Sequence, residues 1–164
     1  MSGPLAIWKT AHVLSAAILF GSGLGTAFFC WFGYRAAMRS GDVVALREIL
    51  RLTVIADAWL TAPAVVFQAA SGLFLMKLLG WPYVSVWSMT TWSLFVLVGA
   101  SWLPVVFIQL RLHGEAKRAE SLNSLPVAFH RLFRLWFALG VPAFTAVAVI
   151  VYLMVAKPLP VAGS

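Results

Sequence analysis

The strongest constraint in this chain is a set of four apolar runs, each long enough to cross a bilayer. They cover residues 13–34, 54–76, 89–110 and 135–156. A helix crosses the hydrocarbon core of a membrane with about 20 residues. None of the runs carries the polar stripe of a soluble amphipathic helix. None alternates apolar and polar residues as a membrane β-strand would. The pattern predicts an all-α integral membrane protein: one domain over residues 1–164, an antiparallel four-helix bundle. Composition excludes the soluble alternative, since 62% of the residues are hydrophobic and 10% are charged. A water-facing domain needs about 25% charged residues.

The connections orient the bundle. Arg35, Arg39, Arg47 and Arg51 lie between the first and second runs. Arg111, Lys117, Arg118, Arg131 and Arg134 lie between the third and fourth, and only Lys9, Lys77 and Lys157 fall on the other side. The positive-inside rule then puts both basic loops in the cytoplasm and both termini outside, in the periplasm of a bacterial inner membrane. Trp8, Trp81, Tyr83, Trp87, Trp92 and Tyr152 read as an aromatic belt at the outer interface. The net charge of +7 is thus a topology signal, and nucleic acid is not an expected partner. The expected surroundings are the lipid bilayer, with a homo-oligomer or a membrane partner protein as possible company. No basic segment precedes the first run, so a cleaved signal peptide is not expected. Cys30 is the sole cysteine and forms no intrachain disulfide. Residues 38–51 and 111–119 read as short cytoplasmic helices, and Pro126 as the first turn of the fourth span.

Inside the spans, Gly21 and Gly25 form a small-xxx-small face with Gly23 between them. Such a face serves close helix packing within the chain, a homodimer seam, or the approach of a flat cofactor. Pro63, Pro104 and Pro142 each remove a backbone donor and predict kinks. Asp57 lies about two turns inside the second span, where a carboxyl requires a partner. Arg131 and Arg134, entering from the same side, are the expected partners. Gln68 is deeper and also needs a hydrogen-bond partner.

The histidines separate by depth. His113 and His130 flank the second basic loop, while His12 begins the first span on the opposite side. A span of about 30 Å keeps His12 from sharing one iron with either. Met76, Met89, Met154 and Lys9 come out at the level of His12. Imidazole with thioether suits haem iron or Cu(I), and a lysine there would pair with a haem propionate. His12 is accordingly the candidate metal ligand, with these residues as a candidate cofactor-binding set. Hydrolase motifs are absent: there is no Gly-x-Ser-x-Gly, no His-Glu-x-x-His and no phosphate loop.

Trp8-Lys9-Thr10-Ala11-His12, followed by Gly21-Ser22-Gly23, resembles the opening of a membrane family. The stretch from Pro126 to Pro158 resembles it too, with Leu135-Trp136-Phe137, Pro142-Ala143-Phe144 and Leu153-Met154-Val155. The family is the domain of unknown function family 2269, described as predicted integral membrane proteins of bacteria. The Lys-x-x-His opening is more distantly similar to copper-resistance D type proteins and J-type protoporphyrinogen oxidases. That similarity implies haem b at His12. The sequence thus leaves three functions open: a haem b or redox-linked protein, a non-enzymatic partner subunit or assembly factor, and a copper-handling or small-solute transporter.

Overall fold

The computed structural model describes residues 2–156; Lys157, assigned above to the outer side, lies outside them. Helix α1 runs Ser2–Ser40 and α2 runs Val43–Ala56. A π-helical segment, Asp57–Thr61, joins α2 to α3, Ala62–Leu79. Helix α4 spans Val86–Arg118 and α5 spans Val127–Ala156, with a short 3₁₀ turn at Leu122–Ser124 between them. Four rods therefore cross in antiparallel order, the second being α2, the π segment and α3 in sequence. No strand occurs among the described residues.

The rods are longer than the apolar runs. Helix α1 has 39 residues, about 58 Å at 1.5 Å per residue. Apolarity marks the part that contacts lipid, whereas backbone hydrogen bonding carries the helix onward into the interface. The short helices expected over 38–51 and 111–119 are for this reason not separate elements. Residues 38–40 finish α1, residues 43–51 begin α2, and α4 continues to Arg118. The turn between α1 and α2 is made by Gly41, whose φ of 74° is left-handed. Asp42 then caps α2, its carboxylate accepting from the Ala45 N–H at 2.9 Å. At the opposite end Gly80 closes α3 with φ 66°, and Ser85 caps α4 through the Ser88 N–H at 3.1 Å.

The buried core gathers at the basic end. Cys30, Leu46, Leu50, Leu112, Phe129 and Phe133 interlock there. Arg47 reaches from α2 to the end of α4, donating Nε–H to the Ala116 carbonyl at 3.0 Å and Nη2–H to the Ala119 carbonyl. These are carbonyls that the terminus of α4 leaves without helical partners. Helices α4 and α5 share the most extensive interface. Helix α2 packs on α1 and α4, but α3 packs on α1 and barely meets α4. The bundle is therefore closed at the basic end and parted at the other into two pairs, α1 with α3 and α4 with α5. Phe29, Trp59, Phe107 and Val155 are among many large apolar side chains that face outward, as lipid contact requires.

The glycine that packs helices is Gly33, not Gly21 or Gly25. A Cβ at Gly33 would lie 2.6 Å from Ile49 Cδ1 of α2, while one at Gly21 or Gly25 would meet nothing within 4 Å. The small-xxx-small spacing is present, but in this chain no helix lies against it. Replacing Gly33 by Leu is expected to cost about 1–3 kcal/mol of stability through overpacking. Gly21→Leu is expected to stay within about 0.5 kcal/mol. Thermal unfolding of both variants in the same detergent checks the contrast.

Candidate functional site

Two polar layers join the rods, an inner one that reaches all four and an outer one between α1 and α3, and a cavity opens beside the inner one. The inner layer grows from Pro63. Proline has no N–H to bond the carbonyl four residues back, and its ring crowds that carbonyl. The backbone widens into the π segment just before it, where the Ala62 N–H bonds the Asp57 carbonyl instead. Of the three prolines expected to kink helices, this one interrupts α-helical geometry; Pro104 and Pro142 sit within α4 and α5. The wider turn holds Asp57 and Thr61, both buried, against the bundle interior.

Asp57 is tied to every rod. Thr61 Oγ1–H donates to Asp57 Oδ1 at 2.9 Å. The amide Nε2–H of Gln109, on α4, donates to Asp57 Oδ2 at 2.8 Å. Gln109 Oε1 accepts from the indole N–H of Trp136, on α5, at 3.2 Å. Ser22 Oγ, on α1, lies 3.1 Å from Thr61 Oγ1, and its single proton is shared between that oxygen and the Leu19 carbonyl at 3.3 Å.

The pairing of Asp57 with Arg131 or Arg134 does not form. Both arginines are exposed, and Arg134 lines a cleft between α1 and α5 with Tyr34, Arg35 and His130. It is the buried Trp136, two residues on along α5, that turns to the Asp57 layer, through Gln109. Among the described residues the ion pairs are Arg51–Glu48 and Arg111–Glu115.

The outer layer contains His12. Its Nδ1–H donates to Ser71 Oγ at 2.7 Å, and its Nε2 accepts from Gln68 Nε2–H at 3.0 Å. Ser71 in turn donates to the Phe67 carbonyl at 2.6 Å. This tautomer is consistent with each of these three bonds. His12 is thus the partner of the Gln68 amide nitrogen, while Gln68 Oε1 is buried without one. His12 belongs to the joint between α1 and α3, and Ser15 Oγ adds a bond to the Ala64 carbonyl at 3.3 Å.

The residues grouped with His12 in the sequence are not brought to it by any polar contact. Met76 is buried near the end of α3, Met89 is exposed at the start of α4, and Met154 is half-buried near the end of α5. Lys9 is exposed one turn before His12. The donor set does not suit the haem or metal ligation implied for His12, because both ring nitrogens are engaged by Gln68 and Ser71. Ligation would first have to break one of those bonds. The groups on His12 lie across an interface between two helices, which hydropathy and depth alone do not reveal.

Beside the inner layer lies a cavity of about 520 Å³, within the range of small-molecule sites. Asp57, Thr61 and Trp136 give it a polar floor, which the lining passes on the α1 side as far as Trp31 and Phe32; its walls are largely apolar and come from α1, α3, α4 and α5. Asp57 is the ionisable group in the lining among the described residues. The hydroxyls of Thr26 and Thr145, also in the lining, are spent on carbonyls of their own helices. Helices α1 and α5 touch through Phe20 and Phe144, ring centroids 4.5 Å apart, and through Trp31 and Phe137, 4.4 Å apart. Between these contacts lie Gly23 and Gly140, where an added Cβ meets nothing within 4 Å. Leu24, Phe28 and Val141 line the cavity and are also about half exposed on the outer surface. The cavity therefore has a side window between α1 and α5 that faces the lipid. The cavity has no counterpart in the sequence reading. Its nearest signal is the pair of glycines at matching depth on the first and last helices.

Gln109→Leu is expected to lower stability by about 1–3 kcal/mol, because it strips partners from both Asp57 and Trp136. His12→Ala is expected to cost about 1–2 kcal/mol by the same reasoning. It should leave the visible absorption of protein purified from haem-replete cells unchanged. A Soret band lost in His12→Ala would contradict the structural role given to this imidazole.

The family comparison agrees with the membrane architecture. The profile of the family described as "Predicted integral membrane protein (DUF2269)" matches residues 6–158. No curated protein and no solved structure matches the chain significantly. Four apolar rods and a match over nearly the whole length lead to one conclusion: the chain belongs to the DUF2269 family of integral membrane proteins.

Proposed function

We propose that this protein is a non-enzymatic intramembrane binding protein, taking a lipid-like molecule from the bilayer into the cavity between α1 and α5. The observation that carries this reading is the cavity itself: apolar walls, a side window toward lipid, and a satisfied polar floor. An enzyme would need a reactive group presented into that space. The Asp57 oxygens are instead committed to holding the floor together. Apolar walls in the middle of a membrane gain little from excluding water, so an occupant is selected by shape and dispersion contacts. Chains or flat rings that slide between Phe20–Phe144 and Trp31–Phe137 meet that requirement.

In this reading the protein sits in a bacterial inner membrane with its basic ends in the cytoplasm and both termini in the periplasm. The haem and copper functions considered for His12 do not use the cavity, because His12 is not among its lining residues; a transport function would use it through Asp57, which is one of them. A partner-subunit role is compatible with it, the bound molecule then being handed to the partner.

The test fills the cavity without disturbing its walls. Gly23→Leu combined with Gly140→Leu adds side chains where open space exists. Wild-type protein taken through detergent and gel filtration is expected to retain about one extractable lipid per chain, identified by mass spectrometry. The double variant, with unchanged helical circular dichroism, is expected to retain less than about a tenth as much. Equal retention by both proteins would remove the reading.

A further inference from the structure

Below the window, at the basic end, a second cleft of about 410 Å³ opens between α1 and α5, lined by Trp31, Tyr34, Arg35, His130, Phe133 and Arg134. Two arginines, Arg35 and Arg134, line this one space, and neither takes part in an ion pair among the described residues. Like charges brought together without a counter-ion repel, and an anion between them relieves that. His130 is fixed by Tyr34, whose Oη lies 2.7 Å from Nδ1. That contact leaves the other ring nitrogen, Nε2, for a further partner. Phe133 stacks on Tyr34 with centroids 3.8 Å apart and on Trp136 at 5.8 Å, so the aromatic wall is continuous from this cleft to the floor of the cavity.

Depth identifies the anion. Arg35 directly follows the first apolar run and Arg134 directly precedes the fourth. Both therefore stand at the boundary between hydrocarbon and headgroups, the level of lipid phosphates. Arginine binds phosphate oxygens through paired N–H donors. Trp31 lines both the cleft and the cavity, so one molecule can occupy both.

We propose that the occupant is an anionic phospholipid: its phosphate sits between Arg35 and Arg134 within reach of His130, and one acyl chain passes Trp31 into the cavity. This rests on the cavity reading above and adds the class of headgroup. The shared chemistry is a phosphate anion, and the source assigned is a lipid rather than free phosphate.

The test is native mass spectrometry of the full chain, released from micelles containing equal amounts of dioleoylphosphatidylglycerol and dioleoylphosphatidylcholine. Wild-type protein is expected to favour phosphatidylglycerol by about tenfold or more, with one lipid bound. Arg35→Gln with Arg134→Gln is expected to reduce the preference to within about twofold while still retaining one phosphatidylcholine. Both side chains are exposed and without acidic partners, so these variants should fold. Arg35→Lys with Arg134→Lys should retain most of the preference, and inorganic phosphate at about 10 mM should displace no lipid. A wild type that binds one lipid without preference, lost on filling Gly23 and Gly140, would overturn the headgroup assignment and leave the cavity reading intact. Phosphate binding without any lipid preference would overturn the lipid source. Retention of neither lipid would overturn both.

Discussion

A carboxyl group buried inside a membrane span must be answered from within the protein, and in this chain the answer to Asp57 organises the bundle. Insertion of an acid costs up to about 2.5–3.5 kcal/mol at the membrane centre and less toward its edge. Thr61 and Gln109 each give one hydrogen bond to it, and Ser22 and Trp136 extend those bonds to α1 and α5. Each such bond in a membrane contributes only about 1 kcal/mol. Their value lies in specificity, because one register of all four rods satisfies the whole chain of groups together. A slip of α4 by one residue would turn Gln109 away and leave three buried groups unpaired.

The same layer explains why the bundle holds a cavity. Below it, Leu46, Leu50, Leu112, Phe129 and Phe133 pack tightly, and Arg47 binds the end of α4 to α2. Above it, the π turn before Pro63 redirects the second rod, and α3 follows α1 rather than α4. The His12–Gln68–Ser71 joint secures that pairing. Residues 12 and 22 of α1 mark the two layers, about 15 Å apart. In the parted half His12, Ser15 and Ser71 bond within the α1–α3 pair, whereas Gln68 Oε1 and Trp102 Nε1 are buried without a partner, and Trp102 lines the otherwise largely apolar gap.

What the sequence made legible follows from which forces act along the chain and which act across it. Hydropathy and charge act along it, so the four crossings, the all-helical class and the gathering of arginines at one end were readable from residue order. Asp57 and Gln68 were readable as groups in need of partners. Their partners were not, because Gln109 is 52 residues from Asp57 and His12 is 56 from Gln68. Rotation of each rod about its own axis decides such meetings. Pairing Asp57 with arginine followed charge and overlooked which face of α5 turns inward: Trp136 does, while Arg131 and Arg134 are exposed. Gly21 and Gly25 showed the spacing of a packing face, while Gly33, which has the same spacing with the buried Ala37, is the one pressed against a neighbour. His12 was singled out for its chemistry, yet its location on α1 opposite Ser71 gives both of its nitrogens structural work.

The arginines at the α1–α5 seam require a different account from those elsewhere at the same end. Arg47 is spent on helix-terminal carbonyls, Arg51 on Glu48 and Arg111 on Glu115. These contacts compensate three of the basic side chains on α2 and α4. Arg35 and Arg134 receive no such compensation from the protein, and they stand where the α1–α5 seam is open to lipid. Topology alone would be served by basic residues anywhere in the two loops. Placing two of them at the foot of a lateral window, over one aromatic wall shared with the cavity, is a feature that the positive-inside rule does not require. The uncompensated charge and the unfilled apolar space lie on the same seam, at depths that differ by about the distance from a lipid phosphate to its upper acyl chain.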